Sequence, residues 1–422
     1  GSKRQVTASS DGSYALVGLP PGTYTVSSGD TERTVTLQVA TSVSLDLAGA
    51  APAAPAGDAT TLDTVRVSAP PLQEVKTSEV GTNVSLKQIN TIPQLTRNFL
   101  EFADTVPGMQ FETDQRTGQS KLRGGAQQTS AINVYIDGVG QKNYVLTGGV
   151  SGQDQSAGNP FPQLAIGEYK VVTSNYKAEF DQVGSAAIIA QTKSGTNEFK
   201  GEVFTRYTNT SMRQRTVGEV AAGTEKDKTK QNEYGFALGG PIIQDKMHFF
   251  FSYEAKDFVL NVDPVATPRD WSSFEPFLPD RIRAQLGPTT SPFNEDLYFG
   301  KISWDIGDND RLELSAKYRD EEGVSGNGGT TTDTAAKVNF NTDKRYDLRW
   351  MHYGETFVNE ARITYEDALF NPAAFTIGNQ SIYTRGLDEN QVLITADSTS
   401  ALSIQRKGQK GPAFQNDLTF NS

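Results

Sequence analysis

The half of the chain that begins at residue 201 alternates apolar and charged side chains in strand-length stretches. Every second residue of RLELSAKYR (311–319) is apolar, and most of the residues between are charged. RYDLRWMHY (345–353) and FVNEARITY (357–365) show a similar alternation. Because successive side chains of a strand point to opposite faces, the pattern predicts strands with one apolar and one charged face. A charged second face is typical of a membrane-spanning strand that lines a wet lumen.

The connections between these strands alternate in length. Short turns are predicted at 241–246, 307–310 and 354–356, and long polar loops at 209–232, 256–296 and 320–343. Tight turns on one side and long loops on the other are the layout of outer-membrane β-barrels. Aromatic residues also bunch near the strand ends, as membrane interfaces require, at Phe249, Phe250, Phe251, Tyr253, Tyr298 and Trp304.

Residues 73–200 predict a mixed unit of helical and extended segments. Its helical spacing of three and four residues joins Leu95, Phe99, Phe102 and Val106. Its strands are predicted at 121–123, 131–136, 168–173 and 187–193.

The stretch RGGAQQTSAINVYIDGVG (123–140) lies within this mixed unit. Alternating apolar positions from Ile132 to Ile136 predict a half-buried strand, and the Asp-Gly pair at 137–138 predicts a tight turn. No helix pattern follows the paired glycines, so a phosphate cradle at a helix N-terminus is excluded. We expect Arg123 to have a carboxylate partner, because a charge enclosed by the fold needs one.

The first 72 residues predict short strands followed by a tether. The strands fall at 4–8, 13–17, 22–27, 34–39 and 42–47, between turns rich in Gly and Pro. The Ala/Pro-rich residues 49–61 cannot build a core and stay extended. The isolated alternation LDTVRVSA (62–69) is a candidate for pairing with another protein's sheet edge, or else a loose terminal strand of the next unit.

Composition and motifs exclude several classes of function. The net charge is −11 and no Lys/Arg cluster stands out, so nucleic acid is not an expected partner. The chain has no cysteine and only two histidines, His248 and His352, which argues against thiol, zinc and histidine-based sites. The nucleophile elbow, the P-loop and HExxH are all missing, and the acidic residues of 305–313 lack calcium-loop spacing. We therefore expect no catalytic residues, no cofactor and no metal site.

The order of these parts resembles the TonB-dependent outer-membrane receptors, in particular the Oar-like branch with an N-terminal carboxypeptidase-regulatory-like domain. SDGSYALVGLPPGTYTV (10–26) is similar to the second half of that β-sandwich domain. VPGMQ (106–110), residues 123–139 and residues 166–203 resemble the plug and its exit into the barrel. LGGPIIQDKMHFFFSYE (238–254) resembles the first periplasmic turn of such barrels.

The resemblance implies a mainly β architecture: a partial β-sandwich, a mixed α/β plug, and part of a large transmembrane antiparallel β-barrel in the outer membrane of a Gram-negative cell. It divides the chain into 1–48 (the C-terminal part of the sandwich, in the periplasm), 49–72 (linker with TonB box), 73–200 (plug) and 201–422 (the first barrel strands). Barrels of this family have about 22 strands, whereas residues 201–422 have room for roughly eight to ten. We therefore expect a fragment whose strands form an open, curved sheet.

The resemblance also implies the partners. The TonB box, which would pair with TonB by β-strand addition, is Leu62, Asp63, Thr64, Val65, Arg66, Val67 and Ser68. The other expected partners are outer-membrane lipid and an external substrate. Substrate-contact candidates at the plug apex and in the external loops are Gln141, Lys142, Asn143, Tyr144, Trp271, Phe274 and Phe277.

The function that the resemblance implies is import of an external substrate through a plugged barrel. Aromatic, amide and charged side chains together suit an oligosaccharide, a peptide or a siderophore, and the sequence does not choose among them. The alternative is an adhesion or surface-binding protein that uses the barrel as an anchor. A TonB box ahead of a plug favours import.

Overall fold

The computed structural model describes residues 22–39, 79–262, 275–384, 392–400 and 404–420, with gaps at 30, 95, 115–116, 177–179, 224, 288 and 355, and isolated residues before 48. Over this part of the chain the protein is mainly β, as predicted. No helix within it is long and apolar enough to cross a membrane. The predicted strands at 4–8, 13–17 and 42–47 and the stretch 49–69 lie outside the described residues, apart from isolated positions.

A two-stranded hairpin comes first. β1 (Gly22–Ser28) and β2 (Thr31–Leu37) pair antiparallel, where the sequence predicts two strands. Gly29, at φ 57°, lies in the turn between them, a conformation that favours glycine. The chain then continues to Val39, whose side chain is buried against the unit described next.

Residues 79–192 form the inner unit, around a five-stranded sheet. Its strands are β3 (Val80–Val84), β6 (Ile132–Ile136), β7 (Val139–Gly140), β8 (Ile166–Ser174) and β9 (Ala186–Thr192), in the order β3-β8-β9-β6-β7. Neighbouring strands are antiparallel except β6 and β9, which are parallel. A separate hairpin joins β4 (Met109–Thr113) to β5 (Ser120–Gly124). The boundaries predicted for the plug, 73–200, stay a prediction.

Two short helices of the inner unit are fixed by local capping and by burial. α1 (Leu86–Thr91) begins at a capping box in which the side chains of Ser85 and Gln88 accept from each other's backbone N–H. The 3₁₀ helix Phe99–Thr105 packs the rings of Phe99 and Phe102 against Tyr169, with centroids 6.0 and 6.4 Å apart. Of the residues with the predicted helical spacing, Phe99 and Phe102 lie in this 3₁₀ helix and Val106 directly follows it. Leu95 lies outside the described residues.

Strand β6 is buried on both faces, whereas the sequence predicts burial of one. Its aliphatic side chains point into the main core of the inner unit. Tyr135 faces the other way and packs against Phe180, with ring centroids 5.1 Å apart, in a second cluster that includes Val39. These covering residues are distant in sequence, so alternation within the strand cannot reveal them.

Eight antiparallel strands form the wall sheet. They are β10 (Lys200–Asn209), β11 (Lys230–Ile243), β12 (Met247–Val262), β13 (Thr289–Ile306), β14 (Asp310–Ser325), β15 (Lys337–Tyr353), β16 (Phe357–Ala374) and β19 (Lys407–Phe420). The order is β10-β11-β12-β13-β14-β15-β16-β19. Among the described residues β10 and β19 do not pair with each other, so the sheet is open, as predicted.

The two faces of the wall sheet differ as the alternation predicts. The outer face exposes Ile302, Leu314 and Leu348, and the side chains of Lys317 and Arg319 on the opposite face are buried. Apolar side chains facing outward and charged ones facing inward suit a sheet with lipid on one side.

The strands are longer than predicted, although the short turns fall where expected. On the outer face, Tyr298 stacks beside Tyr318, with centroids 5.9 Å apart, and marks the end of the apolar band. The next residues on this face in the direction of the long loops, Asp296 and Asp320, are charged and still paired with each other in the ladder. Backbone pairing therefore continues beyond the apolar alternation, which is the only part the sequence pattern detects, and the long loops are correspondingly shorter.

The long connections form a cap at the end opposite the short turns. The cap contains α3 (Asp280–Arg283) and the hairpin of β17 (Ser381–Thr384) and β18 (Val392–Ala396). Leu278, Ile282, Ile394 and Ala396 are buried together there. The first long connection carries α2 (Val217–Ala222), which begins at a capping box formed by Thr216 and Glu219.

Candidate functional site

The inner unit lies against the charged face of the wall sheet. The first set of contacts involves residues 137–141, here named the docking segment, which receive one cation from each of the neighbouring strands β13, β14, β15 and β16. The donor–acceptor pairs are Lys301 Nζ to Asp137 Oδ2 (3.1 Å), Lys317 Nζ to Gln141 Oε1 (3.3 Å), Arg345 Nη1 to Gly140 O (2.8 Å) and Arg362 Nη2 to Asp137 O (2.8 Å).

Each of these four cations also faces a carboxylate of the wall sheet. The pairs are Lys301–Glu313 (3.8 Å), Lys317–Asp343 (2.7 Å), Arg345–Glu366 (2.6 Å) and Arg362–Glu360 (2.6 Å). A buried cation is stable only when it is paired and hydrogen-bonded. The wall carboxylates therefore allow the four cations to lie at the inner face and bind the docking segment, Lys301 through a carboxylate oxygen and the other three through uncharged oxygens.

The Asp-Gly pair shapes the docking segment. Asp137 and Gly138 have φ of 49° and 85°, as tight hairpin turns of the primed type require. The Asp137 carboxylate accepts hydrogen bonds from the N–H (2.8 Å) and hydroxyl (2.6 Å) of Thr192, at the end of β9. A Cβ at Gly138 would lie 2.7 Å from Arg362 Nη1. The predicted turn is thus real, and it faces the wall sheet.

A second contact is the turn of residues 156–159, nearer the cap. Both oxygens of the Glu295 carboxylate accept from the N–H of Asn159, at 2.9 and 3.0 Å. The fully buried Arg319 donates through Nε to the Asn159 carbonyl (2.9 Å) and lies 3.0 Å from Glu295. Lys256 Nζ donates to Asn159 Oδ1 at 2.8 Å. Three wall strands thereby hold one turn.

A third contact involves the beginning of the inner unit. The guanidinium of Arg97 lies 3.5 Å from the Glu254 carboxylate and 3.6 Å from the ring centroid of Phe204. Glu254 also accepts from the N–H of Leu164 at 2.5 Å. These contacts bind the inner unit to β10 and β12.

A small cavity lies beside the docking segment. It has a volume of about 30 Å³ and is lined by Asp137, Phe161, Phe299 and Arg349, among others. This volume is large enough to hold water. The inner unit therefore fills nearly all of the space against this part of the wall.

The predicted substrate contacts separate into buried and exposed residues. Gln141, Lys142 and Asn143 are buried, and each is hydrogen-bonded inside the protein. Tyr144 is 58% exposed and Phe277, in the cap, is 83% exposed. Trp271, Phe274 and the TonB-box residues Leu62–Ser68 lie outside the described residues. The role of all these residues in binding stays a prediction.

Tyr144 is held in an uncommon conformation. Its φ is 53°, a left-handed value that a bulky residue rarely adopts. Its hydroxyl donates to Gln182 Oε1 at 2.6 Å, and Lys142 Nζ lies 5.9 Å from its ring centroid. Burial lowers the pKa of Lys142, while nearby Asp181 opposes this shift. Lys142 in turn donates to the carbonyls of Ser130 and Gln182.

Arg123 has the carboxylate partner that we expected, but at the surface of the inner unit. Its guanidinium lies 3.7 Å from Glu112, and both side chains are largely exposed to solvent. Most of the enclosed charges belong instead to the wall sheet, Lys301, Lys317 and Arg319 among them. The alternation of the strands predicts that these charges face inward, but it carries no signal for what they bind.

The described residues contain no group of three or more acidic, histidine or cysteine side chains that could hold a metal ion.

Comparisons with known proteins extend these observations. Residues 191–268 match the family model described as an outer membrane beta barrel domain. The TonB-dependent transporter Oar of Myxococcus xanthus is 28% identical over 204 residues, which cover 44% of this chain and 17% of that protein.

Solved structures share the fold. The outer membrane transporter YddB from Escherichia coli aligns with a TM-score of 0.57 and 12% identity, covering 81% of this chain and 45% of that one. A mutant ferric enterobactin receptor (PfeA) from Pseudomonas aeruginosa, in complex with enterobactin, aligns with a TM-score of 0.52 and 12% identity, covering 80% and 46%. The chain spans less than half the length of each of these relatives.

Proposed function

We propose that this chain, a homologue of the TonB-dependent transporter Oar with an outer-membrane β-barrel domain, is part of a receptor that imports an external substrate across the Gram-negative outer membrane. In this proposal the wall sheet belongs to the barrel, and the inner unit is its plug. The chain has a transport role and no catalytic one.

One observation carries the proposal: cations from four consecutive wall strands hold the docking segment against the inner face of the sheet. A body bound in this way obstructs the lumen. A substrate can then cross only if the body moves, so import needs work done on the inner unit.

That work has to come from outside the membrane, because the outer membrane has no nucleotide pool. We propose that TonB supplies it by adding a strand to residues 62–68, as the resemblance implies. Strand addition uses backbone hydrogen bonds and tolerates many side chains, which suits so plain a motif. The tether that follows would transmit the pull to the inner unit at Glu79.

Substrate binding is proposed for the exposed side of the inner unit and the cap. Tyr144 and Phe277 offer exposed aromatic rings there. An aromatic ring can stack on a sugar, a peptide side chain or a catecholate alike, so the rings alone do not select a substrate.

Proline substitution in the TonB box tests the proposal. Val65→Pro removes a backbone donor from the added strand, so the full-length protein should lose both binding to the C-terminal domain of TonB and substrate-dependent growth. Ala54→Pro, in the Ala/Pro linker, is the matched control and should change neither.

Undiminished TonB binding by Val65→Pro would contradict the assignment of residues 62–68. Loss of TonB binding with undiminished growth would contradict import, and would favour a surface-binding protein anchored by its barrel.

A further inference from the structure

The N-terminal hairpin is attached to the inner unit at two adjacent residues. The side chain of Val39 is 3% exposed and packs in the cluster on the second face of the sheet, with Val172 and Ala187. Its N–H donates to Glu168 Oε1 at 3.2 Å. The neighbouring Gln38 accepts from Asn83 Nδ2 at 2.7 Å.

These two contacts fall on different strands that pair with each other. Asn83 belongs to β3, whereas Glu168 and Val172 belong to β8. Among the described strands, β3 is an edge strand of the sheet and pairs only with β8. The hairpin therefore bridges the β3–β8 pair at the end where Val84 lies opposite Tyr169.

The position of this bridge matters because β3 is the first described element after the predicted TonB box. A pull on residues 62–68 reaches β3 at Val80 and would peel it from β8 toward Val84. An edge strand resists peeling with one row of hydrogen bonds, so an added contact at its far end raises the resistance there.

We propose that the N-terminal hairpin is a clamp: through Gln38 and Val39 it holds the Val84 end of β3 against β8 and resists the peeling that a pull on residues 62–68 would start. The segment that binds the second face of the five-stranded sheet thus belongs to the same chain: it is the hairpin of residues 22–39, through Gln38 and Val39. The peeling rests on the proposed function, whereas the clamp itself is measurable without TonB or substrate.

The test uses the natural absence of cysteine. Val84→Cys, at a position 1% exposed, reports the opening of β3 by its rate of maleimide labelling in outer-membrane vesicles that contain the full chain. Adding Val39→Asp should speed labelling about tenfold, because it removes a buried valine side chain from the contact. Thr34→Asp, at an exposed position of β2, should leave the rate unchanged.

A second reporter separates a clamp from general loss of stability. Leu122→Cys lies in the main core, outside β3, and Val39→Asp should not change its labelling rate. Hydrogen exchange of residues 80–84 in the chain without any introduced cysteine gives the same comparison if either reporter disturbs folding.

Equal opening of β3 with and without Val39→Asp would overturn the proposal, and so would faster labelling at both reporters. Because no arm uses transport, failure of the clamp is distinguishable from failure of the import proposal.

Discussion

At the scale of single residues, Asp137 joins three parts of the molecule. Its carboxylate binds the end of β9 through Thr192 and a wall strand through Lys301, and its carbonyl accepts from Arg362. Hydrogen bonds to charged groups are worth about 1.5–3 kcal/mol each. A single residue at the turn can therefore contribute much of the attachment of the docking segment.

Gly158 gives a residue-scale prediction for the second contact. A Cβ there would lie 2.2 Å from Glu295 Oε1 and 2.7 Å from Arg319 Nη2, and both side chains are buried. Gly158→Ala should therefore displace the turn, at a cost of about 1–3 kcal/mol. The hydrogen-exchange protection of the Asn159 amide, which donates to Glu295, measures the loss.

The matched control is Gly300→Ala, because its Cβ would meet only Phe251 Cδ2, at 4.0 Å. Undiminished protection of Asn159 in Gly158→Ala would show that the turn can shift without losing the contact with Glu295.

The residue scale is also where the sequence predicts least. The resemblance places substrate contacts at 141–144, and the sequence carries no signal that Gln141, Lys142 and Asn143 are buried. Tyr144 is exposed, and its backbone is left-handed. Neither burial by remote segments nor a rare φ is encoded in a local pattern.

At the scale of elements, the outer face of β14 predicts a cost that depends on depth. Leu314→Arg places a charge within the apolar band and should destabilise the barrel in lipid by about 2–4 kcal/mol. Glu322→Arg lies on the same face of the same strand, beyond the tyrosine row, and should cost about 0–1 kcal/mol. Urea unfolding in phospholipid bilayers compares the two variants.

Equal costs for the two substitutions would mean that the tyrosine row does not mark the edge of the membrane.

The sequence predicts elements better than it predicts their ends. Alternation places the faces of β14 correctly, and the Gly- and Asp-containing segments place the short turns. The strand ends near the cap are not predicted, because Asp296 and Asp320 continue the paired ladder where the sequence is polar. Strand pairing there depends on the neighbouring strands, so the sequence of one strand alone does not predict it.

At the scale of the whole molecule, one acidic residue links the long connections that form the cap. Asp397 accepts from Arg281 and, at 2.5 Å, from the hydroxyl of Ser381, and its N–H donates to the hydroxyl of Thr334. These partners come from three different long connections. Hydrogen bonds from Ser381 and Arg281 outweigh the effect of partial burial and lower the pKa of Asp397.

Asp397→Ala should therefore loosen the cap while leaving the wall sheet intact. Trypsin cleavage at Arg281 should become roughly fivefold faster, since a partly exposed ion pair contributes about 1 kcal/mol. Heat-modifiable mobility should stay that of the unaltered protein. Asp308→Ala, in the short turn between β13 and β14, serves as the control, and equal cleavage of the two variants would show that the connections are not coupled through Asp397.

The two-faced strands also constrain how such a sequence can change over generations. Inserting or deleting one residue within β14 would turn every following side chain to the opposite face, so that Lys317 and Arg319 would meet lipid and Leu314 or Ala316 the inner unit. Losses and gains of single residues should therefore accumulate in the cap connections and be purged from the strands. Length variation among descendants of this chain would then trace the membrane boundary.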